Sequence, residues 1–567
     1  EGNICIDVNK EINEQNLLNV DERLNLASES ELAKEPQVSL NFENKQPFVL
    51  YNHKLYLQRY FHYETMILKS IISFINEEKD LSDKRSKYLL ENKNFIKKLF
   101  KRNSTSIDWQ LIAALSAVLN KFTVITGGPG TGKTTTVSKI LALLFNENLD
   151  LEVALAAPTG KAAARMAASL NDPKFDVDEK VKTMFKSLEP STIHRLLKYQ
   201  RNSTLFKHNK GNPLPYDVVI VDESSMIDIS LFAKLLDAVG PQTRLILLGD
   251  KDQLASVEAG SLFGDICQAI EKLNEFSLSK ANFFNQFLIE DSDIINDNEN
   301  ILKPSSQFLN HPLFEHIIEL TFSHRFSKSE GIGQFSIAVI NNDIEVISKF
   351  IKSPISPQVE IDTSNDEKIF SNFIDGYISF IEEPDILKAL TKLNEIRVLC
   401  AVRSGEKGLY SLNNKIETYL LNKKVIVKTG DFYNNRPIII TSNFYKLGLF
   451  NGDIGLLRYD DNGVLKAWFN DAGKLKSIIP GYISSAETVF AMTTHKSQGS
   501  EFEKVMIVLP DYYSSILTRE LLYTAVTRAK KKVIIQSSSE ILFKTTEAKV
   551  KRGSGLIERF IESDIKI

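Results

Sequence analysis

Gly127-Gly128-Pro129-Gly130-Thr131-Gly132-Lys133-Thr134 fits the pattern G-x-x-x-x-G-K-[ST], and its flanks give it meaning. Phe122 to Thr126 before it is a short apolar run that predicts a buried strand. From Thr135 to Phe145, apolar residues at Val137, Ile140, Leu141 and Leu144 predict a helix. Strand, glycine-rich turn and helix N-terminus together form a cradle of backbone N–H groups reinforced by the helix dipole, which suits a triphosphate. Gly127 to Thr135 is therefore the expected nucleotide-binding run. Lys133 is expected on the β/γ-phosphates and the Thr134 hydroxyl on Mg²⁺.

Working outward, strands and helices alternate from Asp108 to about Ala259. Val153–Ala157, Val218–Val221 and Leu245–Leu248 are apolar strands that each end in a polar loop, the signature of a parallel sheet covered on both faces. In such a sheet the loops at the strands' C-terminal ends line the ligand crevice. Asp222-Glu223 ends one strand, about 90 residues beyond the phosphate loop. Asp222 is expected to hold Mg²⁺ and Glu223 to orient and deprotonate the attacking water. Gln253 ends a third strand and is expected near the γ-phosphate, while Gln110, in Asp108-Trp109-Gln110, offers a planar amide to adenine edges. Two further loops suit phosphate contact: Pro158-Thr159-Gly160, and Thr192-Ile193-His194-Arg195.

A second alternating region starts at Leu320. Strands are expected at 396–401, 489–493, 505–509 and 532–536, and helices at 408–421 and 518–530. Between them, Val425 to Ser485 is turn-rich, with Asn451-Gly452 and Asn462-Gly463 as hairpin signals, and predicts a small all-β, barrel-like insertion. Near the start, Leu17, Leu18, Leu24 and Leu26 recur at helical spacing. Pro47 to Tyr60 alternates as a strand does, and Tyr63 to Asn76 predicts a helix. The basic run Lys93, Lys97, Lys98, Lys101 and Arg102 is better read as a solvated helix face than as a phosphate site. Asn274 to Asn300 is expected to be a loop or insertion.

With 567 residues, three or four domains are expected. A net charge of −3 rules out a generally basic nucleic-acid coat, so any DNA site must be a local groove. Cys5, Cys267 and Cys400 lack metal-ligand spacing and are expected as buried thiols in a reducing cytoplasm. The chain opens on Glu1 without a signal-peptide pattern, and further residues are expected upstream of it.

Taken in order, the motifs form a series: Gln110; Gly127 to Thr134; Ala157 to Ala164; Thr192 to His194; Asp222-Glu223-Ser224-Ser225; Gly249 to Gln253; Ser323-His324-Arg325-Phe326; Met492 to Phe502; and Tyr523 to Ala529. The set resembles that of a superfamily 1 helicase of the 5′→3′ branch. The runs Gly160 to Arg165, Asp250 to Gly260, Leu447 to Gly455 and Thr494 to Phe502 are most similar to the RecD family, the α subunit of exonuclease V in RecBCD. The resemblance is strong over about residues 100 to 540. It implies an α/β fold of two RecA-like domains, a small SH3-like insertion at about 425–487, and a separate N-terminal domain that docks partners. The implied boundaries are 1–103, 104–319 (with a small insertion near 196–216) and 320–567. It also implies ATP with Mg²⁺ between the two motor domains, Arg325 and Arg528 as arginine fingers, and Glu501 on the ribose. Pro158, Thr159, Thr192, His194, Thr494 and His495 are implied on single-stranded DNA. RecB-like and RecC-like subunits are the implied partners, in double-strand break repair by homologous recombination. Ser224 stands where family members commonly have Ala, a change of one hydroxyl. Outside the NTPase motifs the sequence offers no paired-carboxylate-plus-lysine nuclease site. A stand-alone helicase and an ATP-switched DNA-binding subunit remain as alternatives.

Overall fold

The computed structural model describes residues 3–9, 29–40, 46–78, 82–100, 107–170, 177–200, 203, 205–256, 258, 260–288, 295, 300–301, 310–326, 328–352, 356–471, 473–550 and 552–561. Leu17, Leu18, Leu24, Leu26, Lys101 and Arg102 lie outside them, as does part of the expected loop at 274–300.

The alternation at 47–60 resolves into a hairpin rather than one strand. β1 (Cys5–Asp7), β2 (Val38–Ser39), β3 (Phe48–Tyr51) and β4 (Lys54–Leu57) form a sheet in the order β1-β4-β3-β2. The β3–β4 turn is made by Asn52 and His53, both with positive φ (47° and 59°), which an Asn-containing pair tolerates. Cys5, Val49 and Tyr56 are buried on one face, whereas Ile6, Phe48 and Leu57 are exposed on the other. The following helix, Gln58–Glu77, starts five residues before the expected Tyr63 and packs against the helix Ile229–Ala238.

The first parallel sheet has six strands: β5 (Phe122–Gly127), β6 (Val153–Ala157), β7 (Ser191–Thr192), β8 (Val218–Val221), β9 (Arg244–Gly249) and β10 (Ile317–Leu320). Their order is β10-β5-β9-β8-β6-β7. Period-two alternation feeds two cores. Val124, Val219 and Leu247 pack on one face, and Ile125, Ile220 and Leu248 on the other. Every strand of this sheet ends in one of the motif loops, all at one edge.

The second parallel sheet begins with β11 (Val359–Asp362) and β12 (Ile396–Cys400). The chain then leaves it to build an antiparallel unit from β13 (Pro437–Ile440), β14 (Ile454–Tyr459), β15 (Leu465–Asp471), β16 (Lys474–Ile478) and β17 (Ala486–Thr488), in the order β16-β15-β14-β13-β17. It returns through β18 (Ala491–Thr493), β19 (Phe502–Val508) and β20 (Ala529–Gln536), giving a parallel sheet of order β11-β20-β19-β12-β18. The expected helix at 518–530 stops at Val526, because Ala529 already pairs in β20 beside Phe502.

The last described helix joins elements that lie outside the 320–567 span. The helix Leu556–Ile561 leaves the second sheet and packs on Gln58–Glu77 and Leu262–Gln268. Ile4 N and Cys5 N both donate to Gly553 O, and Arg559 pairs with Glu64 inside this junction. A C-terminal strap thus joins the second parallel sheet to the N-terminal unit. Among the described residues no helix is long and apolar enough to cross a membrane.

Candidate active site

The phosphate loop folds as its glycines require. Gly130 and Gly132 have φ of +77° and +84°, the left-handed region. Both are also crowded: a Cβ on Gly130 would stand 2.4 Å from Arg325 Cβ, and one on Gly132 2.3 Å from Gln110 Nε2. The crowding arises because two other motifs lie directly on the loop. His324 N donates to Gly130 O (2.8 Å) and Ser323 Oγ to Pro129 O (3.0 Å). Asp108 caps the helix Trp109–Leu119 by accepting from Gln110 N and Leu111 N, which aims Gln110 Nε2 at Thr131 O (3.0 Å). The Gln110 amide thus braces the phosphate loop. Lys133 Nζ donates to Gly127 O and Gly128 O at the root of the loop.

A cavity of about 560 Å³ opens over this loop. The first sheet lines it with Pro129 to Thr135, Asp222, Glu223 and Gln253, joined by Gln110 and Arg325. The second sheet contributes Glu501 and Arg528. Glu501 precedes β19 and Arg528 precedes β20, so the second sheet presents the N-terminal ends of its strands where the first presents its C-terminal ends. Arg528 is buried, donating to Ser500 O (3.2 Å) and Thr524 O (3.1 Å). Gln253 Nε2 and Tyr523 OH, one from each unit, donate to Asp250 Oδ2. The expected residues Gly127 and Gly128 are not in the lining: they sit beneath it, and their carbonyls hold Lys133. Sequence reasoning missed Arg165 and Lys139, which do line it. Arg165 stands six positions past Thr159 on the helix Gly160–Leu170, where only its spacing along that helix would have flagged it.

The electrostatics favour a polyanion with a divalent cation. Five cations (Lys133, Lys139, Arg165, Arg325, Arg528) face three carboxylates in the lining. Burial, then the neighbouring Glu223, pushes the Asp222 carboxyl up to about 6, with Lys133 opposing. A carboxylate held short of full ionisation at a strand end gains from a bound divalent cation, and the Thr134 hydroxyl in the same lining completes a hard oxygen donor set. Asp250 is also pushed up to about 6, chiefly by burial. Two buried polar atoms lack hydrogen-bond partners here, Gln253 Oε1 and Arg325 Nη1, as befits groups kept for a ligand. Glu501 behaves oppositely: despite its burial, Arg165 and Arg325 hold its carboxyl down at about 2.

The residues expected on DNA lie outside this cavity. Pro158 and Thr159 follow β6, and Thr159 Oγ1 accepts from Ala162 N (3.3 Å). Thr192 Oγ1 caps a short helix by accepting from Arg195 N (3.3 Å). His194 is exposed with its ring edge-on to Phe206, and Arg195 stacks over Phe450 of the antiparallel insertion at 4.8 Å. His495 is half-buried at the C-terminal end of β18. Thr494 is a correction: it is fully buried, with N and Oγ1 both donating to Cys400 O, and so offers no surface to a DNA strand.

An AAA domain family matches residues 110–259, and a UvrD-like helicase C-terminal domain family matches 488–536. The chain is 34% identical to the RecBCD enzyme subunit RecD of Haemophilus influenzae over 501 residues, covering 81% of this chain and 73% of the relative. It is 35% identical to the RecBCD enzyme subunit RecD of Mycolicibacterium smegmatis, covering 79% and 74%. The ATP-dependent RecD2 DNA helicase of Deinococcus radiodurans is 27% identical, over 78% of this chain and 50% of that protein. Among solved structures, a Bacteroides Pif1 helicase in complex with ADP-AlF3 and single-stranded DNA aligns at 16% identity and a TM-score of 0.38, over 79% of this chain and 95% of that one.

Proposed function

The chain belongs to the RecD family of ATP-dependent superfamily 1 DNA helicases, and from that premise we propose that it is the 5′→3′ single-strand translocase subunit of a RecBCD-type complex in double-strand break repair. The observation that carries the reading is the shared cavity: the phosphate loop and Asp222-Glu223 come from one parallel sheet, Glu501 and Arg528 from the other.

In this reading ATP binds across that seam. The phosphate-loop N–H groups and Lys133 hold the phosphates, with Gln253 beside the γ-phosphate and Gln110 steadying the loop near the base. Thr134 and Asp222 would hold Mg²⁺, and the ion would supply charge neutralisation at the phosphates. Glu223 takes the proton of the attacking water. Arg325 reaches the γ-phosphoryl from the phosphate-loop side, where it follows β10 of the first sheet, and Arg528 only when the second sheet closes on it, so hydrolysis weakens the attraction across the seam and reopens the cleft. The DNA strand lies beside the cavity, over the β6–β7 end of that same edge, touched by Pro158, Thr159, Thr192 and His194 from the first unit and by His495 at the C-terminal end of β18 from the second, with buried Thr494 positioning His495. Its binding loops connect to the ATP cavity through short segments, so closure becomes a step along the strand.

Residues 1–103, 104–319 and 320 to about 550 are the proposed docking, first motor and second motor domains. The exposed sheet face carrying Ile6, Phe48 and Leu57 suits docking to a RecB-like or RecC-like subunit, because a small unit rarely leaves such side chains bare on one face. The buried, unpaired Cys5, Cys267 and Cys400 suit a reducing cytoplasm.

The test is ATP hydrolysis with and without single-stranded DNA, beside co-purification of two large partners. Lys133→Gln is expected to lower turnover by at least about a hundredfold, about 2.7 kcal/mol of transition-state stabilisation, while DNA binding survives. Wild-type hydrolysis indifferent to DNA would overturn the motor reading.

A further inference from the structure

Glu501 is implied by family resemblance to hold the nucleotide ribose, yet here its carboxylate is occupied on both oxygens by arginines. Oε1 accepts from Arg165 Nη2 at 2.6 Å, and Oε2 from Arg325 Nη2 at 2.8 Å. The two arginines come from different parts of the fold. Arg165 is on the helix that follows the Pro158-Thr159 loop, and Arg325 follows β10 and lies against the phosphate loop. Arg165 also reaches Gly499 O (3.1 Å), and Lys161 on the same helix donates to Ser500 Oγ (2.7 Å), so this contact is a seam between the two motor sheets. Both arginines line the cavity beside Lys133 and Glu223.

We propose that Glu501 is a latch that a triphosphate displaces, and that the freed Arg165 becomes a third guanidinium on the γ-phosphate beside Arg325 and Arg528. This rests on the nucleotide reading of the cavity given above. Charge supports the exchange. Asp222 and Glu223 already serve metal and water in that reading, which leaves Glu501 as the lining carboxylate free to compete with phosphate oxygens for guanidinium groups. Both ligands offer the planar pair of oxygens that suits a guanidinium fork. Arg325 Nη1 is buried without a partner, so one half of its fork is satisfied by the latch and the other is not. Glu501 also has somewhere to go. Lys530 Nζ stands 3.8 Å from Oε2 on the second sheet's own edge, and it can keep the carboxylate paired after both arginines leave. A γ-phosphate would thereby break a seam contact and make a new one through the same two side chains, whereas a diphosphate would leave the latch closed.

The test compares ATPγS and ADP by equilibrium binding, with 2′,3′-dideoxy-ATP as a ribose control. Glu501→Gln removes the competing charge and is expected to tighten ATPγS about tenfold while ADP moves less than about twofold, since an interaction of roughly 1.4 kcal/mol is one decade. Arg165→Gln is expected to do the reverse, weakening ATPγS about tenfold and sparing ADP; its opposite sign guards against a Glu501 variant that folds poorly. If Glu501→Gln weakens ATP and leaves dideoxy-ATP untouched, the carboxylate is a ribose ligand and the latch is wrong. Equal changes for ATPγS and ADP in both variants also refute it. Failure of the wild-type chain to bind either nucleotide would instead overturn the reading of the cavity itself.

Discussion

Arg559→Ala tests whether the C-terminal strap is fastened where the structure fastens it. Glu64 is fully buried on the helix Gln58–Glu77, and Arg559 Nη1 approaches its Oε2 at 3.1 Å. Arg559 Nη2 donates to Thr65 Oγ1 (2.6 Å), and the guanidinium lies 4.2 Å from the Phe61 ring centroid. Removing Arg559 leaves Glu64 with Gly555 N (3.1 Å) and the Ser554 hydroxyl (3.2 Å) as donors and with no cation. An orphaned buried charge costs about 3–5 kcal/mol, to which the lost cation–π contact adds about 1 kcal/mol. Protonation caps the loss, because burial already pushes the Glu64 carboxyl upward and Arg559 is its largest opposing influence. A carboxyl whose folded pKa is raised contributes less stability as pH rises through that value. The Arg559→Ala penalty should therefore be greatest at high pH and shrink as Glu64 protonates. The assay is denaturant unfolding of the intact chain at two pH values, with amide exchange read at Ile4 and Cys5, whose N–H groups bond Gly553 O. In the double variant Glu64→Gln with Arg559→Met, the amide oxygen still accepts from Gly555 N and no charge is buried. It should recover about 2 kcal/mol or more relative to Arg559→Ala. Additive single effects, or unchanged exchange at Ile4 and Cys5, would refute the account.

Two further outcomes follow from the cavity. Turnover should fall on acidification through about 6, since Asp222 must be ionised to hold the cation; raising Mg²⁺ should move this limb to lower pH, and a limb indifferent to Mg²⁺ would argue against Asp222 as its ligand. Gly130→Ala should cut turnover at least about tenfold, because the left-handed conformation alone costs about 1–2 kcal/mol and the methyl collides with Arg325 Cβ. Steady-state ATPase and a thermal melt separate this from unfolding: turnover should drop far more than the melting temperature.

The motor sheets were largely legible because parallel strands buried on both faces read as continuous apolar runs. Val153–Ala157 and Val218–Val221 match the strands residue for residue. The hairpin at 48–57 was not, since Asn52-His53 lacks the glycine that marks such turns and the alternation continues across it. The motif loops were legible as chemistry, but contacts made across the fold were not. Nothing in the sequence near Thr494 says that Cys400, on another strand, takes its hydroxyl. The same holds for Arg559 and Glu64, which are 495 positions apart.

That blindness to long-range contact bears directly on coupling. In the first unit Thr159 and Arg165 are six positions apart, and in the second His495 and Glu501 are as well. The first member of each pair lies in a loop expected on DNA and the second lines the nucleotide cavity, where Arg165 and Glu501 meet. On the proposed reading the route from one ligand to the other would run down a helical segment on one side, through the Arg165–Glu501 pair of the seam, and along a short loop on the other. A contact this local has two discrete states, paired or displaced, which is what a stepping cycle needs from its transmission. Hydrolysis that stays DNA-stimulated after both Arg165 and Glu501 are replaced would mean that the coupling runs instead through the broader interface of Gln253, Asp250 and Tyr523.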